Sequence, residues 1–206
     1  MRVLFLTNNA VSAPLSEWLK TRREVRDVIV REEPLRTVDM AEIQPHVVIS
    51  YSYQYIIKAD VLDMLQRRFI NLHISFLPHN RGADPNAWSF LENTPKGVSI
   101  HEIDEGTDTG PILVQKELTF DEERETLGNA YWTLQSEIQA LFREHWEELR
   151  TGSIRRSPQV GVGSHHFVQD FQQIRDYLLC EDGWNVSIPI LKERYARLGD
   201  GRRPRP

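Results

Sequence analysis

The stretch Phe69-Ile70-Asn71-Leu72-His73-Ile74 decides the fold. A short apolar run of this kind predicts a buried strand of a parallel sheet. Residues two apart on a strand share a face, so Asn71 and His73 point the same way. Pro78 and Arg81-Gly82 come next, then a helix expected over Pro85–Leu91 and a strand over Val98–Ile103. The second strand closes on Asp104-Glu105-Gly106-Thr107-Asp108-Thr109-Gly110-Pro111, an acidic loop punctuated by glycine. An amide, an imidazole and a carboxylate are thus placed at strand ends and in one loop, where they can converge in a cleft. That pattern points to an enzyme.

Further out, Val3–Leu6, Val25–Val30 and Val47–Tyr51 are expected strands. Helices are expected around Leu15–Arg22, with Ser12 or Ser16 as cap, and over Asp60–Arg67. Strands alternating with helices predict an α/β fold whose mostly parallel sheet is covered on both faces. Ligands in such folds sit beyond the carboxyl ends of the strands, where Asn8, Tyr53 to Ile57, His73 and Asp104 to Asp108 fall. From Glu122 to Thr151 one long helix is expected, with Leu127, Ala130, Tyr131, Leu134, Ile138, Leu141, Phe142, Trp146 and Leu149 as its apolar stripe. Beyond it lie a strand or hairpin over Ser157–Phe167, a helix over Asp170–Leu179, and a loop or edge over Gly183–Ile190. The expected domains are a catalytic domain over 1–150, a small α+β extension over 151–198 and a disordered tail over 199–206.

The 206 residues, 40% hydrophobic and 27% charged, can bury a core and describe a globular protein. A net charge of −5 gives no support to nucleic-acid binding, which needs a clustered basic surface. The one basic cluster, Arg202-Arg203-Pro204-Arg205-Pro206, has the composition of a disordered end. Cys180 is the only cysteine, so no intramolecular disulfide can form. The apolar run at the N-terminus is too short for a signal peptide, and no stretch approaches membrane-spanning length. A cytoplasmic protein with no membrane contact is expected.

Each candidate also has a plain alternative. His73 can be a satisfied core histidine and Asn71 a strand-end turn residue. The Asp108 segment can be a solvated turn between strands. Trp88 sits at helical spacing, where an aromatic is more often core than binding site.

The strings Asn71-Leu72-His73-Ile74-Ser75-Phe76-Leu77-Pro78, Arg81-Gly82 and His101-Glu102-Ile103-Asp104 through Gly110-Pro111-Ile112-Leu113 closely resemble the folate-dependent formyltransferases. That family includes the glycinamide ribonucleotide, methionyl-tRNA and sugar enzymes. The resemblance reaches from residue 1 to about residue 150 and implies a Rossmann-like formyltransferase fold with an abbreviated N-terminal part. It implies Asn71, His73 and Asp108 as catalytic residues and N10-formyltetrahydrofolate as cosubstrate. Tyr55, Ile56 and Ile57, with Asp104, Glu105 and Gly106, are the implied folate-binding residues. Arg81-Gly82 with Pro85 and Trp88 looks most like the sugar N-formyltransferase pattern. Substrate contacts are accordingly expected from Asn9, His79, Arg81, Gly82, Asn86 and Trp88.

The resemblance thus implies formyl transfer to the amine of an amino sugar, nucleotide-linked or in a nonulosonic-acid pathway such as that of pseudaminic acid, for bacterial surface glycans. The amine attacks the formyl carbon, Asn71 and His73 stabilise the oxyanion, and His73 or Asp108 takes up the amine proton. No metal is implied, since the His and acidic residues lack zinc-site spacing. A homodimer is expected through the region after residue 120. Alternatives are a glycinamide ribonucleotide-type formyltransferase and a non-catalytic folate-binding module.

Overall fold

The computed structural model describes residues 1–65 and 68–199. The chain is α/β, built on a six-stranded sheet in the order β2-β1-β3-β4-β6-β7. Its elements run β1 (Arg2–Leu6), α1 (Ala13–Lys20), β2 (Asp27–Arg31), α2 (Thr37–Ile43), β3 (Val47–Tyr51), α3 (Ala59–Leu62), β4 (Phe69–His73) and β5 (Arg81–Gly82). Then follow α4 (Pro85–Leu91), β6 (Lys96–Glu102), β7 (Ile112–Leu118), α5 (Leu127–Glu144), α6 (Trp146–Thr151), β8 (His165–His166), α7 (Val168–Leu179) and α8 (Ile188–Arg197). The pairings β1–β2, β1–β3 and β3–β4 are all parallel. Parallel strands carry cover on both faces, which is why Val3 to Leu6 and Val47 to Ile49 are apolar without alternation and wholly buried.

The chain divides into two compact units, each drawn from three stretches. The first comprises 1–73, 100–114 and 139–159. Within it Leu4, Leu6 and Val48 pack against Met40 of α2 and Val61 of α3. Tyr51 turns the other way, where its hydroxyl accepts from Gln139 Nε2 of α5 at 3.3 Å. Trp18, Phe142 and Trp146 meet edge to face or tilted, with ring centroids 5.4–6.3 Å apart. The second unit comprises 74–99, 115–138 and the described residues from 160 onward. Its core gathers Trp88 and Phe90 of α4, Leu127 and Ala130 of α5, Phe171 and Ile174 of α7, and Ile188 and Leu191 of α8. Each buried Leu, Ile or Phe among them contributes about 1.5–3 kcal/mol.

Several elements differ from expectation. The long helix is two, α5 and α6, separated at His145, whose φ of −101° and ψ of 13° leave the helical range. It also starts later, at Leu127, after a turn. Ser157–Phe167 forms no hairpin; it gives an isolated bridge between Ile112 and Ser157 and the two-residue β8, parallel to β5. Gly183–Ile190 is not an edge strand: Gly183, at φ 56° and ψ −142°, kinks a short 3-10 stretch over Cys180–Asn185, and α8 begins at Ile188. Pro189 sits in the first turn of α8, where its missing N–H is no loss. Neither Ser12 nor Ser16 caps α1 through its side chain; Asn9 Oδ1 accepts from Val11 N, capping the preceding 3-10 turn. The helix expected over Asp60–Arg67 is α3 plus a 3-10 turn at Asp63–Leu65, and residues 66 and 67 lie outside the described residues. The tail expected to be disordered also lies outside them from residue 200 onward.

Candidate active site

Asn71 and His73 occupy the carboxyl end of β4 and face the same way, with Leu72 between them turned into the core. His101 lies near the end of β6, and its side chain is only 2% exposed. The His101 ring is oriented by its own backbone: Nδ1 lies 2.7 Å from the Glu102 carbonyl. A carbonyl oxygen only accepts, so Nδ1 carries a proton and Nε2 is turned toward Asn71 and Asp108. Asn71 Nδ2 meets Nε2 at 3.1 Å.

The loop from Ile103 to Pro111 brings in the carboxylate. Ile103 N donates to Phe69 O at 2.9 Å, which ties the start of the loop to β4, and Glu102 N donates to Pro111 O at 2.9 Å. Gly110 makes this closure possible, because a Cβ there would stand 1.9 Å from the Glu102 carbonyl. Asp104 Oδ1 braces the loop from within, accepting from Gly106 N at 3.1 Å and Thr109 Oγ1 at 2.6 Å. Asp108 adopts a φ of +53°, a left-handed conformation that Asp tolerates better than most residues.

So held, Asp108 turns its carboxylate to the strand ends. Oδ1 accepts from Asn71 Nδ2 at 2.9 Å and lies 3.3 Å from His101 Nε2. Oδ2 lies 3.6 Å from His73 Nδ1. The carboxylate is therefore placed to pair with the His73 imidazole when that ring is protonated. His73 is 8% exposed and Asp108 13%, so both keep an edge to solvent while His101 stands behind them. The arrangement offers an amide donor, an imidazole and a carboxylate at one point, enough to stabilise an oxyanion and move a proton. Among the described residues, no three metal-ligating side chains are gathered as a site.

Asn71, His73 and Asp108 come together, and His101, which the sequence reading did not single out, joins them. Its signal lay in the quoted string: a histidine near the end of the strand that leads into the Asp108 loop. Tyr55 and Ile56 are exposed on the loop after β3, whereas Ile57 packs into the core of the first unit. That loop is tied down by Gln54 N donating to Asn8 Oδ1 at 3.0 Å, and by Tyr53. The Tyr53 hydroxyl donates to Glu33 O and accepts from Leu35 N, and burial raises its pKa above the ordinary tyrosine value. Asp104, Glu105 and Gly106 are exposed, and Asn9 is an exposed turn cap.

His79, Arg81, Gly82, Asn86 and Trp88 belong to the second unit. The His79 carbonyl accepts from Ser75 Oγ at 2.7 Å. Arg81 lies in β5 and donates its backbone N–H to Ser164 O at 3.0 Å. Gly82, at φ +83°, leaves no room for a side chain, since a Cβ would stand 2.3 Å from the His166 carbonyl. Asn86 is buried and donates through Nδ2 to Leu127 O at 2.9 Å. Trp88 is 0% exposed, its indole stacked on the His166 ring at 4.1 Å and 7°. No part of that indole reaches solvent.

Comparison with known proteins gives four matches. A model of the formyl transferase family matches residues 22–144. The solved structure of the formyltransferase PseJ from Anoxybacillus kamchatkensis is 39% identical, over 95% of this chain and 100% of that one, with a TM-score of 0.84. That protein was crystallised with UDP-4,6-dideoxy-4-formamido-L-AltNAc and tetrahydrofolate. Among curated relatives, the dTDP-4-amino-4,6-dideoxyglucose formyltransferase of Mycobacterium tuberculosis is 30% identical over 89% of this chain and 81% of its own length. The methionyl-tRNA formyltransferase of Thermodesulfovibrio yellowstonii is 36% identical, but over 59% of this chain and only 40% of its own length.

Proposed function

The chain belongs to the formyl transferase family, and on that premise we propose that it is a sugar N-formyltransferase. It transfers a formyl group from N10-formyltetrahydrofolate to the amine of a nucleotide-linked amino sugar. The observation that carries this reading is the meeting of Asn71, His73, His101 and Asp108 at the carboxyl ends of β4 and β6. The preference for a sugar over a tRNA rests on the likeness to PseJ, which the chain covers along its whole length. A 4-amino sugar on a uridine diphosphate is the favoured acceptor.

N10-formyltetrahydrofolate supplies the formyl carbon. The residues of this chain do the rest. Asn71, through Nδ2, and His73 donate to the oxygen that gains negative charge as the amine attacks. His73 and Asp108 together remove the proton that the new C–N bond makes acidic, and return one to N10 as its bond to carbon breaks. The exposed Tyr55 and Ile56, with the backbone of Asp104 to Gly106, hold the pterin. Asn9, His79, Arg81 and Gly82 are assigned to the sugar nucleotide. Asn86 and Trp88, both buried, are proposed to support Arg81 and Gly82 within the second unit. The cytoplasm, where folates and nucleotide sugars are made, is the proposed location. A homodimer through the region after residue 120 is the proposed assembly, which light scattering would measure.

The test is a formylation screen. The protein is mixed with N10-formyltetrahydrofolate and a panel of amines: UDP- and dTDP-linked 4-amino and 3-amino sugars, free amino sugars, glycinamide ribonucleotide and methionyl-tRNA. Mass spectrometry should find one added formyl on a nucleotide-linked amino sugar. Formylation of glycinamide ribonucleotide or tRNA alone would overturn the sugar reading.

A further inference from the structure

The segment that follows α6 has no part in the functional reading so far, yet it reaches the catalytic loop. It runs beside the start of β7 through a reciprocal pair, Ile112 N to Ser157 O at 2.8 Å and Ser157 N to Ile112 O at 2.9 Å. Arg156 Nε holds Glu102 Oε1 at 2.5 Å, and the carbonyl of the same Glu102 orients His101. Two residues past the bridge, Gln159 Nε2 donates to the Asp108 carbonyl at 2.7 Å and to the Gly110 carbonyl at 2.9 Å. Both acceptors are carbonyl oxygens, so the orientation of the Gln159 amide is fixed by chemistry: its two hydrogens go one to each.

We propose that Gln159 is a positioning residue for Asp108, a strap that sets the direction of the catalytic carboxylate. The proposal rests on the reading of Asp108 as a catalytic group. Asp108 holds a φ of +53°, which an L-residue leaves readily unless its peptide planes are pinned. The Gln159 amide pins the Asp108–Thr109 and Gly110–Pro111 peptide planes through their carbonyls. Rotation of the first would swing the carboxylate away from Asn71 and His73. Asp104 braces the outer part of the loop and makes none of these contacts with Asp108. The strap therefore acts on the part of the loop that carries the proposed chemistry, through two backbone carbonyls.

Gln159→Ala and Gln159→Glu are compared with the parent, using N10-formyltetrahydrofolate and the 4-amino form of the sugar held by the Anoxybacillus structure. Glutamate keeps the size of the side chain but sets a carboxylate against two carbonyls. Both variants should lower kcat about tenfold or more, as a small misplacement of a reacting group does. KM for either substrate should stay within about twofold and the thermal midpoint should not move. Hydrogen exchange should quicken at the amides of residues 106–110 and stay unchanged in β4. Added to Asp108→Asn, Gln159→Ala should cost nothing further, since the group it positions is already disabled. The proposal is overturned by an unchanged kcat, by a loss of kcat with no change in loop exchange, or by an undiminished loss in the Asp108→Asn background. A parent that formylates no amino sugar would instead defeat the substrate reading. Loop exchange alone would then decide the strap, and unaltered exchange in Gln159→Ala would overturn it.

Discussion

Asn71 Nδ2 donates one hydrogen to Asp108 Oδ1 and lies 3.1 Å from His101 Nε2. The amide is thereby oriented before any substrate arrives, and orientation in advance is what makes a hydrogen-bond donor useful to a developing oxyanion. Replacing Asn71 by Ala should lower kcat by about 10²–10³, as loss of one such donor does elsewhere. Replacing His101 by Ala should cost less, about 10–100-fold, because it acts through the residues it orients. The double variant should fall no further than Asn71→Ala alone, since the two act as a unit. Steady-state kinetics on the four proteins of this cycle checks the point; simple additivity would separate His101 from Asn71. The motifs brought Asn71, His73 and Asp108 forward as candidates and passed over His101, which stands in the same quoted string. An imidazole on a strand gives no sign in sequence of what its nitrogens meet, and here the decisive partner is the carbonyl of the very next residue.

At the scale of the element, the loop between β6 and β7 is held shut by the absence of one carbon atom. Gly110→Ala would bring a methyl to within 1.9 Å of the Glu102 carbonyl, and backbone at that position cannot give way cheaply. The variant should melt below the parent, because Gly110 and Glu102 are both buried, and lose activity about as fully as removal of the Asp108 carboxylate would. Thermal melts paired with the formylation assay measure both. Elements that pack an unbroken apolar run or a strong stripe were legible: β1, β3, β4, α4 and α7 lie where their patterns put them. The seven-residue α2 was not. Val38, in its first turn, is 52% exposed, and its N-terminus is closed by Arg36 and Asp39 where a Ser or Thr cap would have been the signal. Nor was α8, whose stripe of Ile188, Leu191, Tyr195 and Leu198 is masked by a proline at its start. The division of α5 from α6 left no trace, since the apolar stripe runs on through Trp146 and Leu149. Periodicity reports which face is buried, and a local change of φ and ψ that keeps the face keeps the pattern.

For the whole molecule, stability should depend on pH through carboxylates pulled in opposite directions. The Arg36 guanidinium beside Asp39, helped by the Arg36 backbone N–H and by Arg31, holds the Asp39 carboxyl below the ordinary aspartate range. Burial pushes Glu122 up, but hydrogen bonds from Lys192 and Lys96 outweigh it and leave its carboxyl lowered. Such groups stabilise the fold above the ordinary carboxylate pKa and lose that contribution as pH falls through the folded value. Asp84 is the reverse case: burial raises its carboxyl, so its ionisation above the ordinary value opposes folding. Asp84→Asn keeps a residue that tolerates the left-handed φ of +51° and removes the charge. It should gain stability at neutral pH, and the gain should vanish below the ordinary aspartate pKa; urea unfolding at several pH values reads this directly. In the second unit Phe171 lies 1% exposed against Trp88, so Phe171→Ala should cost about 3–5 kcal/mol in the same assay. These effects concern how long the fold lasts, while the proposed chemistry turns on the carboxylate at residue 108 and the imidazole at residue 73. The most direct measurement is therefore kcat for formyl transfer to the nucleotide-linked amino sugar in His73→Ala and Asp108→Ala, beside calorimetric binding of the folate. Both variants should lose transfer while holding the folate within about tenfold of the parent's affinity, as expected of groups that act on the transition state. Undiminished transfer in either one would contradict the account.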